Sequence, residues 1–465
     1  MFQKKIIISL LITNFIFLLL MPAGTSVENS GWWDDNWEFR QELTIPIDTS
    51  SELAKYQPID IRIKFDGSCW AENEQIHSIR IVFQENGDAS ELESQIYDLN
   101  YSNENHIESC SLVFLIPEEA NGNEKYYVYY SEQVTPAPNY PDHVDVEESY
   151  YYFAPIPGFP FESHYYKITE DGYIVYGVAL EGEFLGMGTS QQVNIFSEKT
   201  KEVTTPTDGD AYASFDYFYY YGKEIEDFGS TIQTLVSKEI FIDGNLMVEF
   251  GIISGTSKED FQTTATYKYY YCPSENRRIC AHVKHEALKE SRVIDIYPNS
   301  ESCGNIAGLQ IGIMKSPSVK ELNFGRMFPY IHVYSEKEMI LEYELDPDPE
   351  YTPEGITILT TDNDVDLGEK AWASFDEGQS GEAHALIFGS NSVIKSGTDE
   401  RDGIQIKAIE VAGPGLLGLE SDAISFYFSR NSYEKGSTND LEIPKDFIVE
   451  FDAEFFSTKT EAMKE

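Results

Sequence analysis

The sequence predicts an all-β protein, and three observations carry the prediction: long runs in which apolar and polar residues alternate, an abundance of aromatic residues suited to strands, and a near absence of helical spacing. In the first run Trp37, Phe39, Leu43, Ile45 and Ile47 share one parity, with Glu38, Arg40, Glu42, Thr44 and Asp48 on the other, the pattern of a half-buried strand. The period returns at Ile59, Ile61, Ile63 and Phe65, at Ile79, Ile81 and Phe83, and around Tyr126, Val128 and Tyr130. Together these strands predict one antiparallel sandwich over residues 31–134. Helical candidates are short, Glu52 to Tyr56 and Ser318 to Leu322, which excludes an α/β enzyme fold.

From residue 135 to 161 six prolines interleave with acids and the run Tyr150-Tyr151-Tyr152, which predicts a linker. Strands resume in a large β-sandwich region, 162–465. A hairpin is expected with arms Glu239 to Ile242 and Leu246 to Phe250 around Asp243-Gly244-Asn245, where Asp-Gly would supply positive φ. Further strands read at Thr263 to Tyr271, Ile404 to Val411, Ile424 to Phe428 and Phe447 to Phe451. More than 300 residues make either one supersandwich or two sandwiches, and the candidate break is near 346–353, at Asp346-Pro347-Asp348-Pro349.

Lys4 and Lys5 precede an apolar stretch from Ile6 to Met21 and a small-residue segment ending at Ser26, so residues 1–26 read as a secretory signal peptide. A secreted protein, extracellular or at the cell surface, follows, with no membrane span after cleavage; the alternative is a leader retained as an uncleaved anchor, although its apolar stretch falls just short of the ~17 to 25 residues that span a bilayer. The five cysteines, Cys69, Cys110, Cys272, Cys280 and Cys303, then default to disulfides: Cys69 with Cys110, and Cys272 with Cys280 or Cys303. A net charge of −47 argues against nucleic acid, whose phosphates need Lys and Arg, and disfavours a polyanion at long range.

The run Trp33-Asp34-Asp35-Asn36-Trp37-Glu38-Phe39-Arg40, with Tyr56-Gln57-Pro58-Ile59-Asp60-Ile61, Ile79-Arg80-Ile81-Val82-Phe83 and Lys125-Tyr126-Tyr127-Val128-Tyr129-Tyr130, resembles a jelly-roll domain of unknown function common in secreted bacterial and archaeal proteins. The resemblance covers residues 31–131. It implies a lectin-like sandwich of the kind found beside carbohydrate-handling modules, and it brings no catalytic residues. The long strands and tyrosine-rich faces of the second region resemble, at the level of fold, the supersandwich domains of polysaccharide lyases and mutarotase-like proteins.

These readings point to a glycan-binding or adhesive protein without catalysis of its own, its partner an extracellular glycan or surface polymer. Trp32, Trp33, Tyr219, Tyr221, Tyr269 and Tyr271 are the candidate sugar platforms, against the plainer reading that strand tyrosines and sandwich tryptophans pack in the core. The alternative is a carbohydrate-active enzyme, a polysaccharide lyase ahead of a hydrolase; a lyase needs a base and a cation, for which His164, Tyr166, His282 and Lys284 are candidates. On one strand His282 and Lys284 share a face and His285 points away. A structural surface-layer component is the third reading. No cofactor is required, although Asp362, Asp364 and Asp366 alternate before Gly368 in a partial match to a calcium loop. Expressed with its leader, the protein should be recovered outside the cytoplasm with an N-terminus near residue 27. Recovery with Met1 intact would contradict a cleaved leader.

Overall fold

Alternation becomes antiparallel pairing throughout. The computed structural model describes residues 32–156, 159–182, 191–200, 212–214, 233–256, 259–274, 276–293, 309–319, 324–325, 328–334, 339–346, 356–359, 372–378, 381–389, 393–395, 405–412, 419–428 and 441–458. The expected leader, Tyr219, Tyr221, Cys303 and Asp362, Asp364 and Asp366 lie outside them.

In the N-terminal unit the strands are β1 (Phe39–Leu43), β2 (Pro58–Trp70), β3 (Ile79–Glu85), β4 (Asp88–Leu92), β5 (Ser94–Asn103), β6 (His106–Leu115) and β7 (Lys125–Tyr130). They form a four-stranded sheet, β1-β7-β3-β4, facing a three-stranded one, β2-β6-β5. Between them lies a core of Ile59, Ile63, Phe65, Ile79, Ile81, Phe83, Tyr126, Val128 and Tyr130, the residues whose period predicted it. Trp37 departs from its expected parity. It precedes β1 and packs on the opposite face of the sheet, with Val82, Tyr127 and Tyr129. Of the two helical candidates, the first shortens to a 3-10 turn, Glu52–Ala54, capped by Ser51. In the second, Ser318 and Val319 lie on a strand.

The rest of the chain supplies β8 (Val144–Ile156), β9 (Phe159–Glu170), β10 (Tyr173–Gly182), β11 (Gln192–Thr200), β12 (Tyr212–Ser214), β13 (Gln233–Asp243), β14 (Met247–Thr256), β15 (Phe261–Tyr270), β16 (Arg277–Ala287), β17 (Ser291–Val293), β18 (Leu309–Val319), β19 (Phe324–Gly325), β20 (Tyr330–Tyr334), β21 (Ile340–Glu344), β22 (Ile356–Leu359), β23 (Trp372–Asp376), β24 (Ala383–Phe388), β25 (Val393–Lys395), β26 (Gln405–Ala412), β27 (Leu419–Phe428), β28 (Leu441–Ile443) and β29 (Ile448–Thr458). Sheet I runs β22-β26-β27-β18-β12-β11-β10-β9-β8, with β19 beside β18. Sheet II runs β13-β14-β15-β16-β29-β24-β23-β20-β21, with β25 beside β29. One continuous core joins them, from Val146, Ile168, Tyr176 and Val178 of sheet I to Phe250, Tyr267, Val283, Phe375 and Phe451 of sheet II. The region is therefore one large sandwich. Strands on both sides of residues 346–353 belong to the same two sheets, so no domain boundary falls there.

Three further expectations are corrected. The proline-rich stretch is a connector only to residue 143, where Thr135 is bonded to Ser78, Pro136 accepts from Arg80, and the Tyr140 hydroxyl donates to Glu91 at 2.6 Å. From Val144 it is β8, an edge strand of sheet I, and an edge position tolerates the missing N–H of Pro155. The 243–245 hairpin forms, but Gly244 has no positive φ. What it supplies is space, since a Cβ there would collide with the side-chain amide of Gln95. Cys69, Cys110, Cys272 and Cys280 are all free thiols. Cys69 pairs across the ladder with Ile107 and Cys110 with Ile63, so the two are not opposite one another. Cys272 sits in a turn with its thiol donating to the Asn276 carbonyl at 3.1 Å, whereas Cys280 lies on β16 opposite Lys268. Burial raises the pKa of the Cys110 thiol to about 12.

The N-terminal sandwich docks its β2-β6-β5 sheet against the β14–β16 part of sheet II. Gln95 accepts from the Leu246 and Met247 amides at 2.9 and 2.8 Å and donates to the Met247 carbonyl at 3.0 Å. Buried Asp60 accepts from the hydroxyls of Tyr97 and Tyr270, each at 2.7 Å, and pairs with Lys268 at 3.5 Å, which also reaches Glu249 at 3.1 Å. Burial works against the Lys268 charge, but Asp60, Tyr97 and Glu249 outweigh it and raise its pKa. Lys268→Met should lower stability by about 3–5 kcal/mol in urea unfolding, because it strands the buried Asp60 carboxylate and half-buried Glu249. Adding Asp60→Asn to that variant should restore part of the loss.

Candidate functional site

Sheet II has one face in the core, so strand geometry obliges its other parity to form a second surface. On β15 and β16 burial alternates residue by residue, fully buried then half-buried. Cross-strand partners share a face, so the register lays that second surface out in rows. One row reads Lys268, Cys280, Glu454, Ile387, Trp372 across β15, β16, β29, β24 and β23. The next is Thr266, His282, Asp452, and the one beyond it Thr264, Lys284, Glu450. On the other side run Arg278, Phe456, Ala385, Ser374, His332 and Glu342.

Two features distinguish this surface from a solvated sheet. Its charges form a paired lattice. His282 sits between two carboxylates, Nδ1 2.6 Å from Asp452 and Nε2 3.2 Å from Glu450. Arg278 lies 3.7 Å from Glu454 and donates to Gln57 of the N-terminal sandwich at 2.8 Å, and Lys284 pairs with Glu286 at 2.6 Å. The hydrogen bond that His282 donates to Asp452 raises its pKa, against its burial and with the help of both acids' charges. Burial raises the Glu454 carboxyl, while Arg278 pulls it back. The second feature is aromatic: half-buried Trp372 stacks with Tyr334, ring centroids 6.4 Å apart and 18° from parallel, at the end of the Glu454 row. His282 and Glu450 keep 34% and 30% side-chain exposure, so a ligand lying on the face can reach them. A small cleft between Tyr56, Gln57, Tyr270 and Arg278 opens where the N-terminal sandwich meets it.

The sequence candidates divide. His282 and Lys284 are together on this face, with His285 on the other, buried and bonded to Thr263 at 2.8 Å. His164 is elsewhere, exposed on β9 against Tyr150, and Tyr166 is in the core against Phe250 with its hydroxyl pKa raised to about 12 by burial. Tyr269 is wholly buried and its hydroxyl donates to Glu170 at 2.6 Å, so it offers no platform. Tyr271 is stacked on His143. Trp32 and Trp33 pack on their own sandwich: the Arg40 guanidinium lies 5.0 Å from the Trp32 ring, and the Trp33 amide donates to the Tyr129 hydroxyl at 3.1 Å. Among the described residues no group of three or more His, Cys, Asp and Glu side chains is arranged to hold a metal ion. The residues not singled out from sequence are Trp372, Tyr334, Arg278 and the alternating acids Glu450, Asp452 and Glu454. The signal for the acids was an acid at every second position of a readable strand.

No protein-family model and no characterised protein sequence matches the chain. Solved structures to which it is similar include the galactosidase domain of the α-galactosidase-sucrose kinase AgaSK, at 7% identity and a TM-score of 0.32, covering 69% of this chain and 40% of that one. A glycosyl hydrolase family 38 protein from Enterococcus faecalis gives 7% identity and a TM-score of 0.40, over 88% and 44% of the two chains. A galactose mutarotase related enzyme from Lactobacillus acidophilus gives 8% and 0.29, over 62% and 96%. The chain thus spans about two-fifths of the length of the first two. Likeness at this level bears on neither family nor activity.

The His282 imidazole should titrate above 6.5, and Asp452→Asn should move its midpoint downward. Both are read from the ring proton shifts in an NMR titration. The sign follows from the raised folded value: stabilisation by this pair is full below the unfolded pKa and is lost as pH rises through the folded one.

Proposed function

We propose that the protein binds a glycan outside the cell or at its surface, and that the ligand is an uncharged sugar chain lying across the outer face of sheet II. The observation that carries this reading is the Trp372–Tyr334 stack in line with the row of Glu454 and beside that of His282 and Asp452. Flat rings suit the C–H faces of pyranoses, and neighbouring charged donors and acceptors suit their hydroxyls. The leader expected over residues 1–26 and the net charge of −47 support an extracellular setting.

The charge arrangement bears on the class of ligand. Lys268, Arg278, His282 and Lys284 each already face a carboxylate, so an acidic polysaccharide would have to displace a partner as well as approach a chain of net charge −47. The same pairing weighs against a lyase. A general base at neutral pH must be unprotonated, and Asp452 and Glu450 favour the charged form of His282.

Binding to an array of polysaccharides, with and without calcium and with absorbance followed for unsaturated uronate, tests the proposal. Neutral glycans should be retained with no absorbance change. Trp372→Ala should weaken binding about tenfold, or about 1.4 kcal/mol. Rising absorbance would make the protein a lyase, and retention of acidic glycans alone would overturn the proposed ligand class.

A further inference from the structure

His143, the last residue before β8, stands where three parts of the chain meet. Its Nε2 lies 2.9 Å from Glu93, between β4 and β5 of the N-terminal sandwich, and its Nδ1 lies 2.8 Å from Asp171, in the β9–β10 turn of the large one. The ring stacks on Tyr271, which follows β15, with centroids 4.0 Å apart and planes 5° from parallel. The backbone holds it there: the His143 amide donates to the Asn245 carbonyl at 3.1 Å, and its carbonyl accepts from the Asp171 amide at 2.8 Å.

Only an imidazolium donates from both nitrogens. A neutral ring in either tautomer leaves one bare nitrogen against a carboxylate oxygen at under 3 Å. We propose that His143 is a proton-operated staple: protonated, it ties the N-terminal sandwich to the large one through Glu93 and Asp171, and neutral, it loosens that junction.

The groups around it favour this. Glu93, Asp171 and neighbouring Asp142 are acids. Glu170 is occupied with the Tyr269 hydroxyl and Arg277, and burial raises the Tyr271 hydroxyl pKa to about 12, so that ring stays neutral. Burial disfavours the charged imidazole, but Asp171 and Glu93 outweigh it and raise the pKa. The tie is therefore complete below the unfolded histidine value and is lost as pH rises through the folded one. The Asp60, Lys268 and Gln95 contacts persist through that window, so the units stay joined while their docking slackens.

The amides of Leu246 and Met247 report docking directly, because both donate to Gln95 across the junction. Their hydrogen-exchange protection, corrected for intrinsic exchange, should fall several-fold in the full chain from about pH 6 to about pH 9. In His143→Gln it should be low and independent of pH. Glu93→Gln, which keeps the ring and its Asp171 contact, should lower protection at acidic pH and shrink the change, and it serves should His143→Gln fail to fold. Wild-type protection that does not vary with pH, or a pH-dependent fall of wild-type size in either variant, would overturn the proposal.

Discussion

A strand displays its side chains alternately to two sides, and in this protein that constraint reaches from the core to the surface. Along β15 and β16 the odd residues Ala265, Tyr267, Tyr269, Ile279, Ala281 and Val283 are buried between the two large sheets. Given that burial, Thr264, Thr266, Lys268, Cys280, His282 and Lys284 have no choice but to share the opposite face. The antiparallel register then sets which acids meet them, since a one-residue slip of β29 would move Glu450, Asp452 and Glu454 into the core and Phe451 and Phe455 out of it. Core and candidate site are thus two readings of one register, and packing the first specifies the second.

The N-terminal sandwich covers part of that face, and its attachment is polar as well as apolar. Val113, Leu246, Met247 and Tyr270 make a small apolar contact, and around it stand the Asp60 cluster, Gln95 and the Arg278–Gln57 bond. Buried charge of this kind tolerates little misplacement, because each group left without its partner is costly. It orients one unit on the other and leaves the His282 rows open beside the junction. The connector adds to the same end, being bonded to Ser78, Arg80 and Glu91 before it enters sheet I.

Much of this was legible in the residues. Period-two runs located β2, β3, β7, β15 and β29, and they identified Ile59, Ile63, Ile81 and Phe83 as core. The pairing of His282 with Lys284 on one face, opposite to His285, also follows from the period alone. Where the period stopped, expectation failed. Trp37 lies outside β1, so parity had no hold on it. Proline density suggested a linker through residue 161, yet β8 is an edge, where a missing N–H costs no ladder bond. Gly244 read as a turn glycine because its neighbours are turn residues, but it answers to Gln95, 149 positions earlier in the chain.

The sequence by itself determined the class of fold and, wherever an apolar period is unbroken, the strand and its apolar side, because these depend on residues two apart. Tertiary structure alone decided which strands become neighbours. That choice brings Asp452 to His282, Trp372 to Tyr334, Asp60 to Lys268 and Glu93 to His143. Such pairs join residues 38 to 208 positions apart, and no local pattern carries information about a contact made only when distant strands lie side by side.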